Sequence, residues 1–105
     1  MAQRESRLSS NILTALRSRG AFCFKVHGNE HMMAGLPDLM VCYRGWFIAL
    51  ETKLPEKRSN TSLRQEYVME NIRKAEGEAF VVCSPAEALG ILDRLDAENP
   101  RSDKG

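Results

Sequence analysis

The chain has 105 residues, of which 43% are hydrophobic and 28% are charged, a composition typical of a single soluble globular domain. Its net charge is only +1, so no bulk positive field marks a nucleic-acid binder, and such a partner would need a local basic patch. No apolar run approaches the roughly 20 residues of a membrane span, and the polar start MAQRESRLSS has no signal-peptide core. We therefore expect no membrane association and a cytoplasmic location.

All three cysteines, Cys23, Cys42 and Cys83, lie within apolar stretches. Their odd number and the lack of C-x-x-C spacing argue against a disulfide framework or a zinc ribbon. We predict that all three are reduced thiols in the core.

A first helix is predicted over residues 4–19, with a buried stripe of Leu8, Ile12, Leu13 and Leu16. Glu5 lies on the same stripe. Residues 21–26 alternate in the manner of a strand. Residues 27–37, HGNEHMMAGLP, indicate a loop with Gly28-Asn29 as its tight turn.

The next two strands are predicted over residues 38–44 and 46–53, with Arg44-Gly45 at the centre of the turn between them. A basic polar loop, residues 54–61, follows them. The hairpin is therefore expected to be tight and antiparallel.

A second helix is predicted over about 62–76, where Ser62 and Gln65 have the spacing of a capping box. Gly77 can end this helix. The apolar segment 79–83 then predicts a fourth strand.

A last helix begins at Ser84, with Pro85 in its first turn and Glu87 in position to complete a second capping box. We expect a domain of residues 1–95 and, in the polar segment 96–105, a frayed tail. The resulting order, α-β-β-β-α-β-α, predicts an α/β fold with a mixed central sheet flanked by helices.

Three charges stand at the open end of the predicted hairpin. A turn centred on Arg44-Gly45 places Asp38 opposite Glu51, with their Cβ atoms about 5 Å apart. Strand alternation puts Lys53 on the same face. The pattern thus predicts two neighbouring carboxylates with an ammonium group beside them.

Neighbouring carboxylates on a half-buried sheet repel each other unless a cation offsets their charge. Mg²⁺ does so well, since it binds carboxylate oxygens at about 2.1 Å and keeps several waters. The alternative is that Asp38 is an ordinary turn residue after a proline and Lys53 a solvated edge charge. A register slip of one residue would also separate the two carboxylates.

The pattern G-x-P-D, an apolar strand and then E-x-K resembles the core motif of the PD-(D/E)XK nuclease superfamily. It is present as Gly35-Leu36-Pro37-Asp38 and Glu51-Thr52-Lys53. Within that superfamily the chain resembles the VRR-NUC family, whose stand-alone members occur in phages and bacteria.

Further positions match the pattern of that family. Its glutamate in the first helix corresponds to Glu5, and its glutamine near the start of the helix after E-x-K corresponds to Gln65. Its glycine and its strand ending in V-x-S correspond to Gly77 and Val82-Cys83-Ser84. The resemblance covers about residues 4–92.

The resemblance implies a restriction-endonuclease-like core and metal-dependent hydrolysis of phosphodiester bonds. Asp38 and Glu51 would bind Mg²⁺ or Mn²⁺, and the backbone carbonyl of Thr52 would be a further ligand. Lys53 would orient or deprotonate the attacking water and stabilise charge on the phosphate.

Two residues have alternative roles that the sequence leaves open. By the resemblance, Glu5 would reach the metal through a water molecule; otherwise it is a first-turn acid favoured by the helix dipole. Gln65 would face the site, or it would only complete the capping box with Ser62.

Three cations follow the E-x-K motif: Lys57, Arg58 and Arg64. We predict that they bind the phosphate backbone of DNA. The alternative is that they only form a charged surface exposed to solvent. His27 and His31 would contact substrate phosphate or be plain loop histidines. A zinc site at this pair would require a helix, whereas the sequence predicts a loop.

The resemblance implies DNA as the partner. One small domain offers no separate module for reading bases, so we expect action on branched DNA such as four-way junctions, by family analogy.

Symmetric cutting of two strands needs two active sites, which predicts a homodimer. The alternatives are a nuclease for flaps or duplex ends, a non-catalytic DNA-binding module and a module for protein partners. If the protein is phage-encoded, its location would be the host cytoplasm.

Overall fold

The computed structural model describes residues 2–28 and 31–98, which form the predicted order of elements. The helices are α1 (Ala2–Ser18), α2 (Leu63–Lys74) and α3 (Pro85–Glu98), and the strands are β1 (Phe22–Lys25), β2 (Leu39–Tyr43), β3 (Trp46–Thr52) and β4 (Glu78–Val82). A 3₁₀ turn, Pro55–Lys57, lies between β3 and α2. None of the helices in these ranges has both the length and the apolar character needed to cross a membrane.

The four strands form one mixed sheet in the order β1-β2-β3-β4. The first three strands are antiparallel, and β4 runs parallel to β3. Arg44 and Gly45 have φ angles of 51° and 88°, the left-handed conformation that a tight two-residue hairpin turn requires. This turn fixes Leu39 opposite Leu50, which is the predicted register.

The two faces of the sheet are covered unequally. Helices α1 and α3 cover one face and form the main core, whose fully buried side chains include Ile12, Leu16, Leu39, Ile48, Leu50, Leu92 and Leu95. Helix α2 lies on the other face in a small cluster with Ala49 of β3 and Ala79 of β4. The β1–β2 half of that second face stays exposed, including Phe22 and Cys42.

The cysteine prediction was correct for two residues and wrong for one. Cys23 and Cys83 are buried, and burial raises the pKa of both thiols. Cys42 is exposed, because β2 turns it toward the half of the sheet that α2 leaves open. Its neighbours in the chain, Val41 and Tyr43, point to the opposite face of the sheet and are buried in the main core.

Helix α3 continues through Glu98, so the frayed tail predicted from residue 96 was wrong at its start. The Asp96 carboxylate accepts hydrogen bonds from Tyr43 Oη at 2.8 Å and from Arg44 Nη1 at 3.1 Å. These bonds hold the last turn of α3 against the β2–β3 hairpin. The rest of the predicted tail, residues 99–105, and the predicted turn residue Asn29 lie outside the described residues.

Candidate active site

The three predicted charges meet where β2 begins and β3 ends. Asp38 comes directly before β2, and the β2–β3 register continues to bring it level with Glu51. The carbonyl of Asp38 accepts the N–H of Val26 at 2.7 Å, and the N–H of Lys53 donates to the Val82 carbonyl at 3.0 Å. Both chain segments are therefore still held by the sheet where they carry their charges.

Glu51 is a buried carboxylate, only 3% exposed. Its Oε2 accepts a hydrogen bond from Gln65 Nε2 at 2.8 Å and lies 3.6 Å from Lys53 Nζ. Its Oε1 is buried and has no hydrogen-bond partner within residues 2–28 and 31–98. An unsatisfied buried acceptor costs about 1–3 kcal/mol, and more when it is charged. This oxygen therefore indicates a position for a cation.

The pKa of Glu51 is raised from its ordinary 4.5 to about 7. The main cause is burial, which disfavours the charged form, and the second is repulsion by the Asp38 carboxylate. The Lys53 ammonium acts in the opposite direction. The protein alone thus only partly offsets the negative charge of this pair.

Asp38 is oriented by the residue that follows Glu51. Its Oδ2 accepts the backbone N–H of Thr52 at 3.1 Å and the Thr52 hydroxyl at 2.7 Å. Its Oδ1 accepts no hydrogen bond from the described part of the chain. Each carboxylate of the pair therefore has one oxygen fixed by protein donors and a second one that is not.

A buried serine, which the sequence analysis did not select, completes this arrangement. Ser9 of α1 is 3% exposed, and its Oγ lies 2.9 Å from Thr52 Oγ1. The available signal was a polar residue on the inward stripe of α1, four positions after Glu5. Its partner, 43 residues away, depends on how α1 docks on the sheet and could not be read from the local pattern.

Gln65 has both of the roles that the sequence left open. Its Oε1 accepts the N–H of Ser62 at 3.0 Å and its own N–H donates to Ser62 Oγ at 3.1 Å, which completes the capping box. Its Nε2 donates to Glu51 in the same conformation. One side chain thus caps the start of α2 and also holds the Glu51 carboxylate.

The glycine of the G-x-P-D motif sets the distance between the loop and α2. Gly35 has φ +85°, and a Cβ there would lie 2.8 Å from the backbone oxygen of Arg64. Only glycine lets the chain approach the first turn of α2 this closely. The loop therefore fixes Asp38 relative to Gln65, which follows Arg64 directly.

The predicted role of Glu5 stays a prediction. Glu5 is partly exposed and lies one turn before Ser9 on the same face of α1. Within the described ranges its carboxylate has no ion pair or hydrogen bond, whereas its neighbour Arg4 pairs with Glu56 at 2.9 Å. The position is compatible with a water-mediated contact at the site.

The predicted DNA-contacting cations differ in their surroundings. Lys57 and Arg64 are exposed and form no ion pair with other described residues. Arg58 is paired with the Glu87 carboxylate. The other oxygen of Glu87 accepts the N–H of Cys83 at 2.7 Å. In the predicted capping box it would instead accept the N–H of Ser84. Arg58 is thus partly neutralised.

The two histidines lie in the loop after β1 and both are exposed. His27 lies outside any helix or strand and His31 lies in a turn, so they lack the helical spacing of a zinc site. A hollow of about 470 Å³ opens between this loop and Asp38. Contact of His27 and His31 with phosphate remains a prediction.

The residues at this site fit a hard divalent cation. The described chain has no cluster of three or more His, Cys, Asp or Glu side chains suited to a metal. Mg²⁺ does not require one, since it commonly binds through one or two carboxylates and keeps several waters. Asp38 and Glu51, with the unsatisfied Glu51 Oε1, supply such a pair, and the Thr52 carbonyl is the predicted further ligand.

Comparison with known proteins finds similarity among solved structures. No protein-family model matches the chain, and no curated protein matches it. Among solved structures, the chain is similar to one described as "VRR_NUC domain", with 28% sequence identity and a TM-score of 0.64. The similarity covers 90% of this chain and 96% of that one, so it extends far beyond the short motifs.

Proposed function

Since this chain belongs to the VRR-NUC family of nuclease domains, we propose that it is a metal-dependent endonuclease that hydrolyses phosphodiester bonds in DNA. One observation carries the metal dependence: the buried Glu51 Oε1 has no hydrogen-bond partner among the described residues and lies beside a second carboxylate. A divalent cation would satisfy this oxygen and remove the repulsion between Glu51 and Asp38.

The residues divide the chemistry among them. Asp38 and Glu51 hold Mg²⁺ or Mn²⁺ together with the Thr52 carbonyl. When bound, the metal lowers the pKa of its water and neutralises charge on the phosphate. Lys53, whose Nζ lies 3.6 Å from Glu51 Oε2, orients or deprotonates the attacking water and stabilises the charge of the phosphate.

DNA binding is assigned to the cations that follow the Glu51-Thr52-Lys53 motif and to the loop that lines the hollow beside Asp38. Lys57 and Arg64 are exposed and bind backbone phosphates, with Arg58, His27 and His31 as further contacts. Phosphate contacts position DNA without reading its sequence. We therefore propose branched DNA, such as a four-way junction, as the substrate, and cutting of flaps or duplex ends as the alternative.

The proposal is tested with an end-labelled four-way junction beside matched linear duplex and flap, in Mg²⁺, Mn²⁺ or EDTA. Lys53→Ala is compared with Lys74→Ala, an exposed lysine at the end of α2. We expect paired cuts in the junction that are lost in EDTA and in Lys53→Ala and kept in Lys74→Ala. Cuts confined to flap or duplex would overturn the junction specificity. Binding of DNA without cutting in either Mg²⁺ or Mn²⁺ would overturn the nuclease proposal and indicate a non-catalytic DNA-binding module.

We also propose a homodimer that forms through the uncovered half of the sheet, on the face where α2 lies. Five large side chains around this surface are 47–71% exposed: Phe22, Phe24, Met33, Phe47 and Tyr67. A side chain of this size has about 200 Å² of surface when fully exposed, so the exposed fractions of the five together present on the order of 600 Å² of apolar surface. That is the upper end for a monomer and approaches the roughly 800 Å² that each partner contributes to a standard interface.

Cys42 provides a direct probe of this interface. It is the exposed cysteine, and it lies between Phe22 and Phe47 on neighbouring strands, whereas Cys23 and Cys83 are buried. Sedimentation should show a dimer that the double substitution Phe22→Glu/Phe47→Glu dissociates. Leu63→Glu, at an 85% exposed position on α2, is the control that should keep the dimer.

Cross-linking gives an independent readout of the same surface. A short bismaleimide should link two copies through Cys42, and Cys42→Ser should abolish the link. A monomer at all concentrations would overturn the homodimer, and a dimer unaffected by the double substitution would overturn this choice of surface.

A further inference from the structure

We infer that the hydroxyl groups of Ser9 and Thr52 form a positioning pair that orients the Asp38 carboxylate for metal binding. The inference rests on the proposed function, because it concerns the same metal site. It assigns a role to Ser9, and it gives the side chain of Thr52 a role separate from that of its backbone carbonyl.

The direction of each hydrogen bond follows from the number of hydrogens available. The Asp38 carboxylate can only accept, so the Thr52 hydroxyl donates its single hydrogen to Oδ2 at 2.7 Å. The Ser9–Thr52 contact of 2.9 Å therefore has Ser9 as the donor. The sequence of donation runs from Ser9 through Thr52 to Asp38.

Burial makes this arrangement specific. Ser9 is 3% and Thr52 4% exposed, so neither hydroxyl has bulk water as an alternative partner. The bond from Ser9 holds the Thr52 side chain in the rotamer that donates to Asp38. In series, such bonds polarise and strengthen one another.

The consequence at the site is a defined pair of metal-facing oxygens. Thr52 donates two hydrogen bonds to Asp38 Oδ2, and Gln65 donates one to Glu51 Oε2. The remaining oxygens, Asp38 Oδ1 and Glu51 Oε1, are left for the cation. Because Ser9 lies one turn after Glu5, the same bond fixes the part of α1 that carries this candidate water-mediated ligand.

The alternative is that the two hydroxyls only fasten α1 to β3. A purely structural bond would lower the thermal stability of variants without changing metal affinity once they are folded. Mn²⁺ affinity, measured without DNA from the paramagnetic resonance signal of the free ion, separates the two roles. Circular dichroism confirms folding and gives the melting temperature.

We expect Thr52→Val to weaken Mn²⁺ binding roughly tenfold, the lower end of effects for residues that support metal ligands. Ser9→Ala, one bond further away, should weaken it several-fold. The double variant should resemble Thr52→Val alone, since Ser9 acts through Thr52. Thr52→Ser, which retains the hydroxyl, should bind as the unmodified protein does.

Ser18→Ala is the matched control, since it removes a serine hydroxyl of α1 that bonds to the Ala15 carbonyl at 2.6 Å, away from the site. It should leave Mn²⁺ affinity unchanged. If Ser9→Ala does not fold, the comparison of Thr52→Val with Thr52→Ser decides the question.

Equal affinity of folded Ser9→Ala, Thr52→Val and the unmodified protein would overturn the positioning role and leave the proposed metal site intact. Absence of Mn²⁺ binding by the folded, unmodified protein would overturn the metal site itself, and the positioning role with it.

Discussion

Gln65 donates from Nε2 to Glu51 Oε2 at 2.8 Å while its Oε1 accepts the N–H of Ser62 at 3.0 Å. The capping bond fixes which end of the amide carries the hydrogens, so Gln65 can only be a donor toward Glu51. The start of α2 and the carboxylate at the end of β3 are therefore linked by one side chain. Loss of that side chain should affect both stability and the active site.

Substitutions at Ser62 and Gln65 should separate these two effects. Ser62→Ala removes only the cap acceptor and should cost about 1 kcal/mol of folding free energy, with little change in cleavage. Gln65→Ala should cost a similar amount and should also reduce cleavage, because Glu51 Oε2 loses its 2.8 Å hydrogen bond from Gln65 Nε2. Thermal unfolding measures the effect of each variant on stability, and single-turnover cleavage measures its effect on activity. Equal cleavage by both variants would contradict a role for Gln65 at the site.

Glu51 should make the metal-free protein less stable as the pH rises. Its pKa is about 7 in the folded chain against an ordinary 4.5, so the folded state binds the proton more tightly between these values. Stability from this group is therefore highest below about pH 4.5 and falls until about pH 7. The total is at most about 3–4 kcal/mol, since the two pKa values differ by about 2.5 units and each unit corresponds to about 1.4 kcal/mol.

Glu51→Gln removes this titration and is the direct test. In EDTA at about pH 8 the variant should melt at a higher temperature than the unmodified protein, and the difference should shrink toward about pH 5. A variant that is less stable at both pH values would show that the buried carboxylate does not carry this cost.

Mg²⁺ should stabilise the protein in a pH-dependent manner. A ligand at 100 times its Kd adds about 2.7 kcal/mol to the free energy of unfolding. Protons compete with the metal at Glu51 below about pH 7, so the gain should be large at about pH 8 and small at about pH 5.5. Asp38→Asn should remove most of it. Equal stabilisation at both pH values, or in Asp38→Asn, would place the ion elsewhere.

Gly35→Ala tests the close approach of the loop to α2. A Cβ at Gly35 meets the Arg64 backbone at 2.8 Å, and φ there is +85°. The substitution should destabilise the fold by about 1–3 kcal/mol and lower cleavage, because Asp38 follows this turn. Gly28→Ala is the control, since nothing lies within 4 Å of its added Cβ and its φ is not positive. A melting temperature that falls equally in both variants would contradict the assigned contact.

The local part of this site could be predicted from the sequence because a two-residue turn fixes the hairpin register. Once Arg44 and Gly45 form that turn, Asp38 must lie level with Glu51. Lys53 then follows from strand alternation, and capping-box spacing indicated Gln65 at the start of α2. These inferences need only neighbours along one hairpin or one helix turn.

The remaining features depend on how separate elements dock. The contact of Ser9 with Thr52 exists because α1 lies across the end of β3. Cys42 is exposed because α2 covers only the β3–β4 half of its face. Asp96 extends α3 because it meets Tyr43 of the hairpin. Local patterns in the sequence determine none of these contacts between separate elements.

The most direct measurement of the central claim is single-turnover cleavage of the four-way junction in Mg²⁺ at about pH 8, by the unmodified protein and by Glu51→Gln. The substitution removes a carboxylate that we propose as a metal ligand, and it relieves the cost of a buried charge. We predict that the variant is more thermally stable in EDTA yet does not cut. Cutting by Glu51→Gln at the unmodified rate would contradict the assignment of Asp38 and Glu51 as the metal-binding pair.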